Sequence, residues 1–268
     1  MQLIDSHCHL SMIDLEKFDQ DVANVVTSAA SNQVSELLNI AVNLTSFPKI
    51  IEVANRFDNI FASVGIHPCY DKEPETTVAG LCNLVKQHNK IVAIGECGLD
   101  YYMNHGSCPK EDNFEWQRLR FRTHIQAAIK TQLPLIIHTR DAIVDTIQIM
   151  QEEKASETGG VMHCYVEDLE NAKKAMDMNF MISFSGIVTF KSARDLQEVA
   201  RHVPDEFMLI ETDSPYLAPV PFRGKPNQPA YVLHVAEFLA ELRNTSVEHI
   251  AQVTYDNYQR VFKKQASI

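Results

Sequence analysis

The sequence predicts one α/β domain folded as a TIM-type (β/α)8 barrel, and three observations carry that expectation. Eight short, β-rich apolar runs punctuate the chain, at residues 3–6, 36–41, 61–66, 91–96, 135–139, 160–164, 180–185 and 208–212. Eight is the number that a closed parallel barrel needs. Stretches of helical period separate them, and 268 residues suit a barrel that folds as a single unit.

Taken in order, the first run leads into His7-Cys8-His9, where strand alternation puts both imidazoles on one face and Cys8 on the other. The fourth and fifth runs hold Ile91-Val92-Ala93-Ile94 and Leu135-Ile136-Ile137, continuously apolar as parallel strands covered on both faces require. Residues 114–130 contain no Gly or Pro and predict a helix. Val232, Val235, Ala236 and Leu239 form the i, i+3, i+4, i+7 stripe of another. Long loops are expected at 101–113 and at 215–229, the second with five prolines, both after strand ends. No internal repeat or linker divides the chain, so residues 1–268 are expected to form one domain.

Composition narrows the function classes. Hydrophobic residues are 45% and charged residues 22% of the chain, a soluble globular balance. No apolar run reaches the ~18 residues of a membrane span. The N-terminal ten residues lack a basic segment ahead of an apolar one, so the expected compartment is the cytoplasm, with the six cysteines as reduced thiols. A formal charge of −11 argues against a protein that coats nucleic acid by bulk electrostatics. It leaves open an enzyme for phosphate esters, because bound cations reverse the local field.

The chemistry is carried by residues at strand ends. His7, His9, Glu96, His138, His163 and Asp213 sit at or just past the ends of five different runs, and in a closed barrel those ends converge on one mouth. Four imidazoles and two carboxylates suit a pair of divalent ions such as Zn, Mn or Mg. Glu96 is the natural bridge, having two oxygens to share. Two ions about 3.5–4 Å apart would clamp attacking and leaving oxygens and activate a water. Asp213 is the candidate to accept that water's proton, with Glu96 less suited if both its oxygens are engaged. Cys8, Cys97 and Cys164 each adjoin a ligand, and alternation turns their thiols into the strand–helix layer as packing groups.

Four further residues are candidate substrate contacts. His67, in Gly65-Ile66-His67-Pro68, either touches substrate or orients its loop. Arg140 either binds an anionic group or pairs with Asp141 at the surface. Arg223, in Arg223-Gly224-Lys225, is either a phosphate holder or part of a solvated turn. Tyr216 offers a ring that could stack on a base or sugar.

These residues resemble a known family, the TatD-type metal-dependent deoxyribonucleases of the amidohydrolase superfamily. The matching pieces are Asp5-Ser6-His7-Cys8-His9-Leu10, Gly65-Ile66-His67-Pro68, Ile94-Gly95-Glu96-Cys97-Gly98-Leu99-Asp100-Tyr101-Tyr102, Ile137-His138-Thr139-Arg140-Asp141-Ala142, His163-Cys164-Tyr165 and the segment from Glu211 through Pro219 to Lys225. They occur in family order over nearly the whole chain. The resemblance implies a TIM-type barrel, divalent ions, and hydrolysis of DNA phosphodiesters, often as a 3′→5′ exonuclease. It carries the metal-binding role onto the same six residues. The chain departs from the family's usual pattern at Cys69 and Phe222, where histidines are common, and at Gln228, where glutamate is usual.

Two other readings of the residues stay open. A hydrolase of amides, lactones or carboxyl esters would use the same barrel and water, and a carbamylated lysine bridging the ions would favour it. Glu96 holds the fourth-strand position and Ile137-His138 offers no lysine, which leans toward the nuclease. A metal-stabilised binding scaffold would hold ions without turnover.

Overall fold

Residues 1–102 and 114–263 are described in the computed structural model of the protein. Strands and helices alternate as β1 Leu3–Cys8, α1 Val22–Ser31, β2 Val34–Asn39, α2 Phe47–Arg56, β3 Ile60–Val64, α3 Val78–Gln87, β4 Ile91–Asp100, α4 Glu115–Thr131, β5 Leu135–Arg140, α5 Ile143–Glu152, β6 Gly160–Met162, α6 Leu169–Met176, β7 Phe180–Phe184, α7 Arg194–His202, β8 Met208–Ile210, α8 Val232–Leu242 and α9 Val247–Phe262. All eight expected strands are present. Past Tyr102, the loop expected at 101–113 lies outside the described residues, and Cys108 with it.

The strands form one parallel sheet in chain order, β1 to β8. The barrel closes through an isolated parallel bridge between Cys8 and Ser214. The His9 amide donates to Ser214 O at 2.8 Å and the Asp213 amide to His7 O at 2.9 Å. Asp5 adds a side-chain tie, accepting from the Thr212 amide at 2.8 Å and the Thr212 hydroxyl at 2.5 Å. The seam that closes the barrel therefore runs through the residues flanking three expected ligands.

One buried residue from each of seven strands, Ile4, Leu38, Ala93, Ile136, Val161, Met181 and Leu209, packs into a common cluster with Phe61 of β3 against it. Residues contributed by every strand can meet only on the barrel axis, so this is the inner layer. Tyr258 and Phe262 of α9 belong to the same cluster and close its N-terminal end. The second, larger core lies between strands and helices and includes the expected α8 stripe, Val232, Val235, Ala236 and Leu239, each fully buried.

Alternation then lifts the next inward residue toward the mouth. His138 lies two residues past Ile136, His163 two past Val161, and Glu211 two past Leu209. His7 and Glu96 lie three past Ile4 and Ala93, which strict alternation would turn outward. The extra residue is absorbed by register irregularities, between Asp5 and Cys8 on β1 and between Ile94 and Cys97 on β4.

β4 continues four residues beyond the expected end at Glu96. Gly98 permits this: at φ 132 it pairs with His138 so closely that a Cβ there would stand 2.0 Å from the His138 carbonyl oxygen. The extension brings Asp100 alongside Arg140.

Candidate metal centre

Glu96 is the hub of the mouth, only 2% exposed. Its Oε2 faces His7 Nε2 at 3.4 Å and His9 Nε2 at 3.9 Å. Its Oε1 faces His163 Nε2 at 3.1 Å, His138 Nδ1 at 3.2 Å and His67 Nε2 at 3.4 Å. Asp213 Oδ1 completes the first side, 3.2 Å from His9 Nε2 and 3.7 Å from His7 Nε2. Among the described residues, His7, His9 and Asp213 form one compact donor group and His67, Glu96 and His138 another. The six ligands expected from sequence thus converge, and His67 joins them.

Groups behind the ring fix which imidazole nitrogen points inward. Glu211 Oε1 stands 2.8 Å from His163 Nδ1 and Asp100 Oδ2 3.0 Å from His138 Nε2, while Ile40 O lies 3.3 Å from His9 Nδ1. Each acceptor takes the outer N–H, so the inner nitrogen is the one that faces the Glu96 and Asp213 oxygens. Against burial, which lowers it, the carboxylates raise the pKa of His163, His138 and His9 and so hold a proton between these nitrogens and the oxygens. A divalent ion would take that proton's place, so this donor set fits divalent ions. His7 and His163 stack with ring centroids 3.6 Å apart, which holds the two sides together.

Electrostatics agree. Burial works to raise the Glu96 pKa, but His163, His67, His7 and the bond from His138 overcome it and hold the carboxyl well below its usual range. Burial likewise opposes ionisation of Asp213, and the His9 hydrogen bond with His163, His9 and His7 nearby brings its pKa down. His67 is pushed to about 3 by burial, which Glu96 only partly offsets, so its ring is neutral. Two ionised carboxylates among imidazoles are a ligand set poised for cations.

A cavity of about 790 Å³ opens above the hub, lined by His9, His67, Glu96, His138, His163 and Asp213 below and by Arg140, Tyr216, Met12, Val166 and Leu217 toward the rim. Three of the expected substrate contacts, His67, Arg140 and Tyr216, line it directly. The Arg140 guanidinium lies 3.7 Å over the Tyr102 ring. Tyr216 is 53% exposed and its ring centroid is 6.3 Å from that of His9. Arg223 is not among the lining residues, its guanidinium resting 4.2 Å over the Phe190 ring.

The cysteine expectation divides. Cys8 and Cys97 are fully buried in the strand–helix core, with their thiols toward Leu38 O and Ile136 O. Cys164 departs: it is among the residues lining the cavity, and its thiol lies 3.2 Å from the Ser185 hydroxyl. β6 has already ended at Met162 and Cys164 sits at φ 45, so alternation no longer governs its direction.

Three positioning residues carry no sequence expectation of their own. Glu211 also accepts from the Cys164 amide at 2.9 Å. Asp100 is held below the carboxylate range, at about 2, where the His138 bond and its charge outweigh burial. Gln117 of α4 takes the Asp100 amide at 2.9 Å and donates to its carbonyl at 3.0 Å. The Glu-Thr-Asp spacing was a signal for Glu211, since period 2 puts Glu211 on the face of Leu209.

A parallel barrel whose mouth gathers imidazoles and carboxylates around a shared glutamate defines a metal-dependent hydrolase. The chain belongs to the TatD related DNase family, whose family model matches residues 4–263. It is 45% identical over 267 residues to YcfH of Escherichia coli K12, an uncharacterized metal-dependent hydrolase, covering 100% of this chain and 98% of that one. It is 39% identical over 261 residues to the Bacillus subtilis metal-dependent hydrolase YabD, covering 97% and 99%. The solved structure of YJJV, a TatD homolog from E. coli K12, superposes with a TM-score of 0.87 at 25% identity over 97% of this chain and 98% of that one. Among the described residues no helix is long and apolar enough to cross a membrane.

Proposed function

We propose that the protein hydrolyses phosphodiester bonds at the end of a DNA strand, as a 3′→5′ exodeoxyribonuclease of the cytoplasm. The observation that carries the reading is the placement of Glu96, with one oxygen toward His7, His9 and Asp213 and the other toward His138 and His163, beneath a rim that bears Arg140. Two divalent ions, Mg, Mn or Zn, would be held by those six residues, offsetting charge on the phosphoryl oxygens and making a water more acidic.

The chain's own groups do the rest. Arg140 binds a non-bridging phosphate oxygen, its guanidinium already oriented by the Tyr102 ring. Asp213, ionised and facing the cavity, accepts the proton of the attacking water at its carboxylate. Glu96 has both oxygens turned into the ring of imidazoles and serves to hold the ions. His67, neutral at the cavity wall, contacts the substrate without adding charge, and the half-exposed Tyr216 stacks on the terminal base or sugar. Arg223 reaches a phosphate farther from the cut bond.

No lysine lines the cavity among the described residues, which leaves the ester or amide alternative without a carbamylated bridge. The test is labelled single-stranded DNA, blocked at either end, against a panel of small esters and amides, with Mg²⁺ or Mn²⁺ and then with EDTA. Metal-dependent trimming from the 3′ end is expected. Turnover of the ester or amide panel with intact DNA would overturn the reading.

A further inference from the structure

The chain carries 35 acidic residues and a net charge of −11, and residues 178–194 and 214–236 are among the stretches that contain none of them. Four basic residues fall there, Lys191, Arg194, Arg223 and Lys225, all exposed.

The two segments meet in the fold. One runs out of β7 and the other out of β8, and a Cβ on Gly186 would stand 2.0 Å from Leu217 O. The Val220 amide donates to the Thr189 hydroxyl at 2.9 Å, and Arg223 lies over Phe190. Both reach the metal centre's cavity, through Ile187 on one side and Tyr216 and Leu217 on the other. The surface is therefore continuous with one wall of the mouth.

Other exposed arginines are paired with carboxylates, Arg56 with Asp21 and Arg201 with Glu198. Aromatic rings interleave with the cations here instead. Phe222 stacks on Tyr231 with centroids 4.1 Å apart, and the Lys225 ammonium lies 5.8 Å from the Phe222 centroid. Cations spaced along aromatic surface match a single strand's phosphates and its unstacked bases. A guanidinium whose inner face is held on a ring offers its outer face to a base.

We propose that Lys191, Arg194, Arg223 and Lys225, with Phe190 and Phe222, form a track for single-stranded nucleic acid leading away from the mouth, so that the protein grips the strand behind the end it cuts. This rests on the phosphodiester reading of the metal centre.

The test measures binding of a labelled, phosphorothioate-linked oligothymidine to the Mg²⁺-loaded protein across a salt series. The Lys191→Glu/Arg194→Glu/Lys225→Glu variant is expected to bind about tenfold more weakly and to lower the log–log salt slope by about 2. Lys225→Glu alone gives a smaller loss in the same direction, and a thymidine dinucleotide, too short to reach the track, distinguishes the variants little. Undiminished binding of the long strand by the triple variant overturns the track, as does equal competition by polyglutamate. Failure of wild-type protein to hydrolyse any DNA, with strand binding still lost in the variant, would instead overturn the reading of the metal centre and leave a binding surface.

Discussion

Glu211 and His163 are joined by a 2.8 Å contact between Oε1 and Nδ1, and the same histidine meets Glu96 through its other nitrogen at 3.1 Å. A buried carboxylate behind the ring thus decides which nitrogen of His163 faces Glu96. Glu211→Gln keeps the shape and removes the charge. Metal affinity should fall about tenfold to a hundredfold, read by calorimetric titration. Unchanged affinity would remove Glu211 from the centre's support.

Asp213 faces the cavity between His7 and His9, at φ 56, a backbone region that costs a non-glycine residue about 1–3 kcal/mol. Asp213→Asn at saturating metal should lower kcat by about 10²–10⁴ as proton acceptance is lost. Circular dichroism should be unchanged. Retained turnover would contradict the assigned base.

Arg140→Ala tests a different step. Arg140 lines the cavity but is not among the donor groups gathered at Glu96. KM for DNA should rise about tenfold with kcat little changed if the guanidinium binds ground and transition states alike. A fall in kcat at constant KM would place it on charge that develops only during the reaction.

His124 of α4 predicts how stability depends on pH. It is fully buried, its Nε2 accepts from the Ile66 amide at 3.0 Å, and burial lowers its pKa from 6.5 to about 4. Between those values the unfolded chain binds the extra proton, so stability is fully present above pH 6.5 and drains away as pH falls toward about 4. The loss from this residue is about 2 kcal/mol on going to pH 5. Urea denaturation of wild type and His124→Gln at neutral and mildly acidic pH checks it: the variant should lose less on acidification. Equal losses would rule out His124 as a source.

Gly98→Ala should destabilise the protein by about 3 kcal/mol or more, since the methyl would stand 2.0 Å from His138 O at a φ of 132. Thermal unfolding measures the loss. Metal affinity should fall with it, because the strand that would have to move carries a ligand.

The barrel and the gathering of His, Glu and Asp side chains at its mouth were legible because each has a local signature. Apolar runs of strand length mark β1 to β8, and ligand residue types at their ends mark the mouth. Less legible was what depends on a break in periodicity. Nothing in the local pattern says that β4 continues through Asp100, since two glycines normally end a strand, and the reason it continues is the β5 backbone beside it. Cys164 is the same case from the other side, an alternation rule applied two residues past the end of the strand. Gln117, Arg120 and His124 share one buried face of α4. They read as ordinary surface residues until the backbone groups they serve, at Asp100, Tyr70 and Ile66, are in place.

The inner layer topped by the metal centre and floored by Tyr258 and Phe262 makes the mouth a blind alley. A polymer cannot be pulled through this barrel as through a ring. Whatever end enters must leave by the same opening, the rest of a long chain staying outside throughout.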